Sequence, residues 1–115
     1  MPRRFVPERG DMVWLEFAPQ AGHEQKGRRP ALVLSPREYN EKAGLAVVCP
    51  ITSKVKGYPF EVVLPARLRV SGAVIADQVK SLDWRARQVK FIATAPQAVM
   101  DEVVAKIAAL LSGDE

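Results

Sequence analysis

Apolar positions fall in short alternating or continuous runs along most of this chain, and a helical period emerges only near its C-terminal end. Residues 11–17, Asp-Met-Val-Trp-Leu-Glu-Phe, alternate and are rich in strand formers, with Gly10 before them and Pro19 after, which predicts a first strand. A polar loop over 18–27 follows. Residues 31–34, Ala-Leu-Val-Leu, are apolar on both faces and predict a central second strand. Ser35-Pro36-Arg37-Glu38 combines a serine cap, proline at the first helical position and glutamate three residues on, the start of a short helix that Gly44 closes. Further strands are predicted over 45–49, 60–64, 72–76, 79–84 and 88–93, divided by Pro50, by Lys56-Gly57-Tyr58-Pro59, by the basic connection 65–71, by Asp77-Gln78 and by Arg85-Ala86-Arg87. Thr94-Ala95-Pro96-Gln97 repeats the capping pattern. Behind it Met100, Val103, Val104, Ile107, Leu110 and Leu111 recur at helical spacing up to Gly113, a stripe expected to pack on the sheet. Many short strands, dense turns and one terminal helix predict a mainly β fold, a small and strongly bent antiparallel barrel with a short internal helix and a C-terminal helix. A barrel of this kind gathers its loops at one mouth, which would assemble those holding Arg29, Thr52, Lys56 and Arg87.

Length and composition narrow the class. At 115 residues, 48% hydrophobic and 26% charged, the chain reads as one soluble globular domain over 1–115. A domain this small has little stability to spare, and a dimer would add buried area. Lys and Arg number 17 against 13 acidic residues, a net +4 that permits a polyanionic partner without demanding one. The distribution says more: between Lys54 and Lys90 eight basic residues face three acidic ones, whereas the segment from Asp101 is net acidic. The one cysteine, Cys49, lies in an apolar run and reads as a buried structural thiol. One His and one Cys cannot make a metal cluster at any standard spacing, so no metal and no cofactor is expected. Arg3-Arg4 precede no apolar signal core and no run reaches membrane-spanning length, so the expected location is cytoplasmic, with no membrane partner.

The candidate chemistry centres on Glu24-Gln25-Lys26-Gly27-Arg28-Arg29-Pro30, a charged loop running straight into the predicted central strand. Pro30 biases Arg29 toward an extended backbone and holds it at the mouth of that strand. Taken alone, the stretch reads as a solvated charged turn. With other residues it suits a phosphodiester: Arg28 and Arg29 offer planar forks that match phosphate, Thr52 and Ser53 offer hydroxyl donors, and Tyr58 offers a ring for an unstacked base. RNA carries its own nucleophile, the 2′-OH, so the protein need only ease removal of that proton, protonate the leaving 5′-oxygen and stabilise the crowded phosphorus. Glu24 can accept a proton, Arg29 can steady charge and Thr52 can hold a non-bridging oxygen. His23 has a suitable intrinsic pKa but sits in a polar loop where exposure alone explains it. An exposed pair between Glu24 and Lys26 or Arg28 is the plainer reading of that carboxylate, and Gln78 either reads a base edge or caps a break between strands.

Glu24-Gln25-x-Gly27-x-Arg29-Pro30-Ala31 with Leu34-Ser35-Pro36, then Lys56-Gly57-Tyr58-Pro59-Phe60-Glu61-Val62, then Asp77-Gln78-Val79-Lys80-Ser81-Leu82-Asp83-Trp84-Arg85-Ala86-Arg87 form three blocks in order along nearly the whole chain. Together with Gly10-Asp11-x-x-Trp14 they resemble the MazF/PemK family of toxin endoribonucleases. The resemblance implies an SH3-like barrel that acts as a homodimer, without metal, as a sequence-specific and ribosome-independent mRNA interferase. It implies cleavage of single-stranded mRNA to 2′,3′-cyclic phosphate and 5′-OH ends, and a cognate MazE-like antitoxin that blocks the RNA groove. It makes Arg29 and Thr52 the catalytic pair and Glu24 a loop acid needed for activity, and it places Lys56, Gln78, Lys80 and Arg87 along the RNA path. His23 and Arg28 inherit no role from it, and the connection 65–71 varies within it. The alternatives are a CcdB-like toxin that binds and poisons DNA gyrase without catalysis, and a passive nucleic-acid-binding barrel.

Overall fold

The computed structural model describes residues 5–17 and 27–113. Seven strands, β1 (Asp11–Phe17), β2 (Gly27–Val33), β3 (Leu45–Thr52), β4 (Glu61–Val63), β5 (Ala73–Ile75), β6 (Lys80–Asp83) and β7 (Lys90–Thr94), accompany helix α1 (Arg37–Ala43), a 3-10 turn (Ala76–Gln78) and helix α2 (Gln97–Ser112). All pairings are antiparallel, in the order β4-β5-β3-β2-β1-β7. The long strand β3 serves two partners on its other edge, β6 along residues 45–48 and β5 at Ile51 and Thr52. The end strands β4 and β7 do not pair, so the bent sheet is an open barrel.

Strand alternation sends side chains to two apolar clusters. Met12, Leu32, Cys49, Ile51, Val62 and Val74 pack beneath α2 with Val99, Met100 and Val103. Val13, Leu15, Phe17, Ala31, Val33, Ala46 and Val48 pack on the opposite face with Leu82 and Trp84. Cys49 is fully buried, and that burial pushes its thiol pKa up to about 12. On α2 only the N-terminal part of the expected stripe reaches the core. Val104 and Leu110 are exposed, and Leu111 is 79% exposed.

Two elements differ from expectation. The second strand begins at Gly27, four residues before its apolar part, because β1 pairs with it through Phe17↔Gly27, Glu16↔Arg28 and Leu15↔Arg29. Neither expected capping box forms. Pro36 and Pro96 occupy the N-cap positions without side-chain cap bonds. Ser35 instead donates its hydroxyl to Asn40 Oδ1 (2.5 Å) and accepts the Val47 N–H (2.8 Å). The first turn of α1 is satisfied from outside, where the Glu8 carboxylate accepts the Arg37 N–H at 3.0 Å. Asn40, fully buried, ties these parts together. Its amide donates to Pro7 O (2.8 Å) and Ser35 O (3.0 Å), and its own carbonyl accepts the Trp84 indole N–H (2.9 Å).

The β2–β3 ladder stops early, and the reason is local. Leu34 N–H donates to Val47 O on β3, and Val33 O accepts from Gly10 beside β1. Alternation then turns Leu32 and Pro30 toward β3. The register runs Val33↔Val48, Leu32↔Cys49, Ala31↔Pro50. The next hydrogen-bonded rung would join Pro30 to Ile51, and proline has no N–H to supply it. Beyond this point the two strands part.

Candidate active site

A cavity of about 370 Å³ opens where β2 and β3 diverge. Arg28, Arg29 and Pro30 line it from β2, Ile51 and Ser53 from β3 and the turn after it, Trp14 from β1, and Arg69, Val70 and Ser71 from the connection before β5. Three guanidiniums and two serine hydroxyls meet apolar walls, and among the described residues no carboxylate contributes to the lining. Arg28 lies 5.8 Å from the Trp14 ring centroid and donates to Gln88 O at 3.2 Å. Arg69 donates to Ile92 O at 3.2 Å. Both arginines are thus held at the cavity wall by backbone carbonyls. Such a cleft suits a phosphate.

The β2–β3 pairing stops at Ala31↔Pro50, two residues from Arg29 on one strand and two from Thr52 on the other. Strand alternation puts Arg29 and Thr52 on the same side of their strands, and Arg29 but not Thr52 is among the residues lining the cavity. Arg29 follows the alternation of Ala31 and Val33, and Thr52 that of Ala46 and Val48. Lys80, opposite Val48 and 5.9 Å from the Phe17 ring centroid, shares that face. Thr52 is only 6% exposed, and its Oγ1 accepts the Lys54 N–H at 3.1 Å. That bond fixes the side chain and leaves the hydroxyl hydrogen to donate outward.

The other residues expected at the site do not line this cavity. Lys56 and Tyr58 stand on the exposed loop after β3, with the Lys56 ammonium 5.8 Å from the Tyr58 ring centroid and Tyr58 61% exposed. Glu61 shapes that loop by accepting the N–H groups of Lys56 (3.0 Å) and Gly57 (2.8 Å). Gln78 ends the 3-10 turn and is half-buried. Arg87 is held to β1, donating to Glu16 O at 2.9 Å while its carbonyl accepts the Glu16 N–H at 3.0 Å. Of the residues expected at the site, the cavity walls gather Arg28, Arg29 and Ser53, while Thr52, Lys56 and Arg87, expected at one mouth with Arg29, are not among them. Glu24 and His23 lie outside the described residues. Sequence reading missed Trp14, Arg69 and Ser71 as cavity walls. The one signal for Arg69 was its place in a basic connection. Among the described residues no three His, Cys, Asp or Glu side chains gather to hold a metal ion.

An open antiparallel β-barrel with a cationic cleft at the parting of two strands frames the candidate site. The profile of the PemK-like, MazF-like toxins of type II toxin-antitoxin systems matches residues 8–111, and the chain belongs to that family. It is 47% identical over 111 residues to the endoribonuclease toxin MazF of Escherichia coli K12, covering 96% of this chain and 99% of that one. It superposes on MazF from Deinococcus radiodurans with a TM-score of 0.91 at 59% identity, over 95% of this chain and 99% of that one. It also superposes on the toxin of a MazE–MazF complex from the same organism, with a TM-score of 0.87 at 59% identity, over 95% and 98%.

Proposed function

We propose that this chain is the toxin of a toxin-antitoxin pair and a metal-independent endoribonuclease acting on single-stranded mRNA in the cytoplasm. The observation that carries the reading is the cleft lined by Arg28, Arg29 and Arg69, with Thr52 on the strand that forms its other wall. The family's endoribonuclease members support it, and they leave the gyrase-binding alternative unfavoured. The 2′-oxygen attacks the adjacent phosphorus, the new O2′–P bond forms and the P–O5′ bond breaks, leaving a 2′,3′-cyclic phosphate and a 5′-OH. Glu24 receives the 2′-OH proton. Thr52 donates to a non-bridging oxygen, and Arg29 stabilises the charge gathering on the phosphorane. The departing 5′-oxygen takes up one proton from water, which balances the proton received by Glu24, and Arg29 stabilises the charge on that oxygen as the bond breaks. Arg28 with Ser53 holds the phosphate on one side of the cut, and Arg69 holds another. Lys56, Tyr58, Gln78, Lys80 and Arg87 contact the flanking strand.

Two assemblies go with this reading. A MazE-like antitoxin crosses the cationic groove, as the complexes of the Deinococcus relatives suggest. A homodimer covers the apolar end of α2, where Val104, Leu110 and Leu111 face solvent in one chain. A monomer mass at all concentrations in sedimentation equilibrium would exclude the dimer.

The decisive experiment is cleavage of a long transcript by purified protein in chelator, with cut sites mapped by primer extension and end groups identified. Arg29→Ala is expected to lose at least about 100-fold in rate while keeping its circular dichroism and melting curve. Cleavage by that variant at the parent rate, or 3′-OH ends on the products, would sink the assignment.

A further inference from the structure

We infer that Gly72 is a positioning residue for Thr52, and that its lack of a side chain is a requirement of the active site; the inference rests on the endoribonuclease reading above. Ala73 pairs with Thr52 across the β3–β5 ladder, and Gly72 is the residue just before it. The Gly72 carbonyl is held by the Leu64 N–H at 2.9 Å, so the segment cannot swing away. Its φ of +114° is a backbone conformation that L side chains rarely adopt. A Cβ there would overlap the Thr52 carbonyl oxygen and stand 2.9 Å from the Thr52 carbonyl carbon and 3.1 Å from Ser53 Cα. Every one of these neighbours is backbone, so nothing flexible yields.

The bare Cα of Gly72 therefore lies against the peptide that joins Thr52 to Ser53. From the other side, the Lys54 N–H holds the Thr52 hydroxyl at 3.1 Å. The two contacts clamp Thr52 by its backbone and by its side chain, which fixes the direction in which its hydroxyl donates before substrate arrives. A methyl at position 72 would displace the Thr52 carbonyl by on the order of 1 Å, enough at a reacting centre to cost about 100-fold in rate. Substrate affinity depends mostly on the arginines across the cleft and would change little.

The test is a double-mutant cycle on kcat and KM for a short RNA containing a mapped cut site. Gly72→Ala is expected to lower kcat about 100-fold with KM within about twofold, and to add less than about twofold to the loss already caused by Thr52→Ala. A purely structural role would instead multiply the two losses. If Gly72→Ala does not fold, Ala73→Gly carries the test. Ala73 is fully buried and opposite Thr52, and the smaller residue loosens the pair without a clash. It is expected to lower kcat at least about threefold in the parent and not at all beside Thr52→Ala. Parent-like kcat in a folded Gly72→Ala, multiplicative losses, or an unaffected Ala73→Gly where the first variant fails to fold would overturn the inference alone. Parent-like kcat in Thr52→Ala would overturn the role of Thr52 itself, and the inference with it.

Discussion

Arg69 offers the sharpest measurement of what the cleft binds. It is exposed, it is held at the cavity wall by Ile92 O, and it is one of three guanidiniums there. For a single strand, each neutralised phosphate contributes about −0.7 to the slope of log K against log salt. Three arginines thus contribute about −2.1, an affinity loss of about 18-fold between 50 and 200 mM salt. Arg69→Gln leaves two, a slope of about −1.4 and a loss of about sevenfold over the same range. Other basic residues steepen both lines equally, so the difference of about 0.7 is the quantity to read. The assay is fluorescence anisotropy with a labelled RNA whose attacking 2′-OH is replaced by hydrogen, titrated at five or so salt concentrations. The variant should keep the parent's stability within about 0.5 kcal/mol, because the side chain is exposed. Identical slopes for the two proteins would refute the placement of a phosphate beside Arg69.

Two further outcomes concern the scaffold. Asn40→Ala removes two donors and an acceptor from a fully buried site and should cost about 3 kcal/mol, or roughly 10–15 °C in Tm; a loss under about 1 kcal/mol in urea unfolding would contradict the role given to this side chain. Burial raises the Asp11 pKa above its ordinary 3.8, opposed by the Glu8 N–H at 2.9 Å, so the folded state favours the neutral acid and the charged form costs stability once pH exceeds the folded pKa. Asp11→Asn retains an oxygen for the Glu8 N–H and should be the more stable protein at neutral pH, with the gap closing as pH falls through the raised pKa toward 3.8; a parent more stable than the variant at pH 7 would be incompatible with this.

Much of the fold was legible because its signals are local. The alternation of 11–17, the turns between later strands and the glycines ending both helices each depend on neighbours in sequence. The capping of α1 was not legible, because its acceptor is Glu8, 29 residues before Arg37. The spacing on α2 revealed an apolar stripe but not where the sheet beneath it ends, so Val104, Leu110 and Leu111 were assigned to a core they do not reach. At the candidate site, residue types suggested phosphate chemistry and the family resemblance supplied roles for Arg29 and Thr52. Which residues two strands set opposite each other is a matter of register, which no local pattern encodes.

The same register explains why the cleft exists at all. Pro30 stood out in the sequence as the residue that stiffens Arg29, and that reading captures only half of its effect. Its missing N–H falls where β2 would next bond to β3, so pairing ends at Ala31, two residues from Arg29, and the strands separate. Pro50 adds to this from the partner strand. Alternation turns its missing N–H to the opposite edge of β3, between the end of the β6 pairing at Val48 and the start of the β5 pairing at Ile51. One proline thus opens the gap in front of Thr52, and the other sits where β3 changes partner just behind it. Past that change of partner, β5 brings Gly72 against the Thr52 carbonyl. Among the described residues the strand end that carries Thr52 is unpaired on its β2 side and tightly held on its β5 side, which fixes the direction of a hydroxyl that is only slightly exposed.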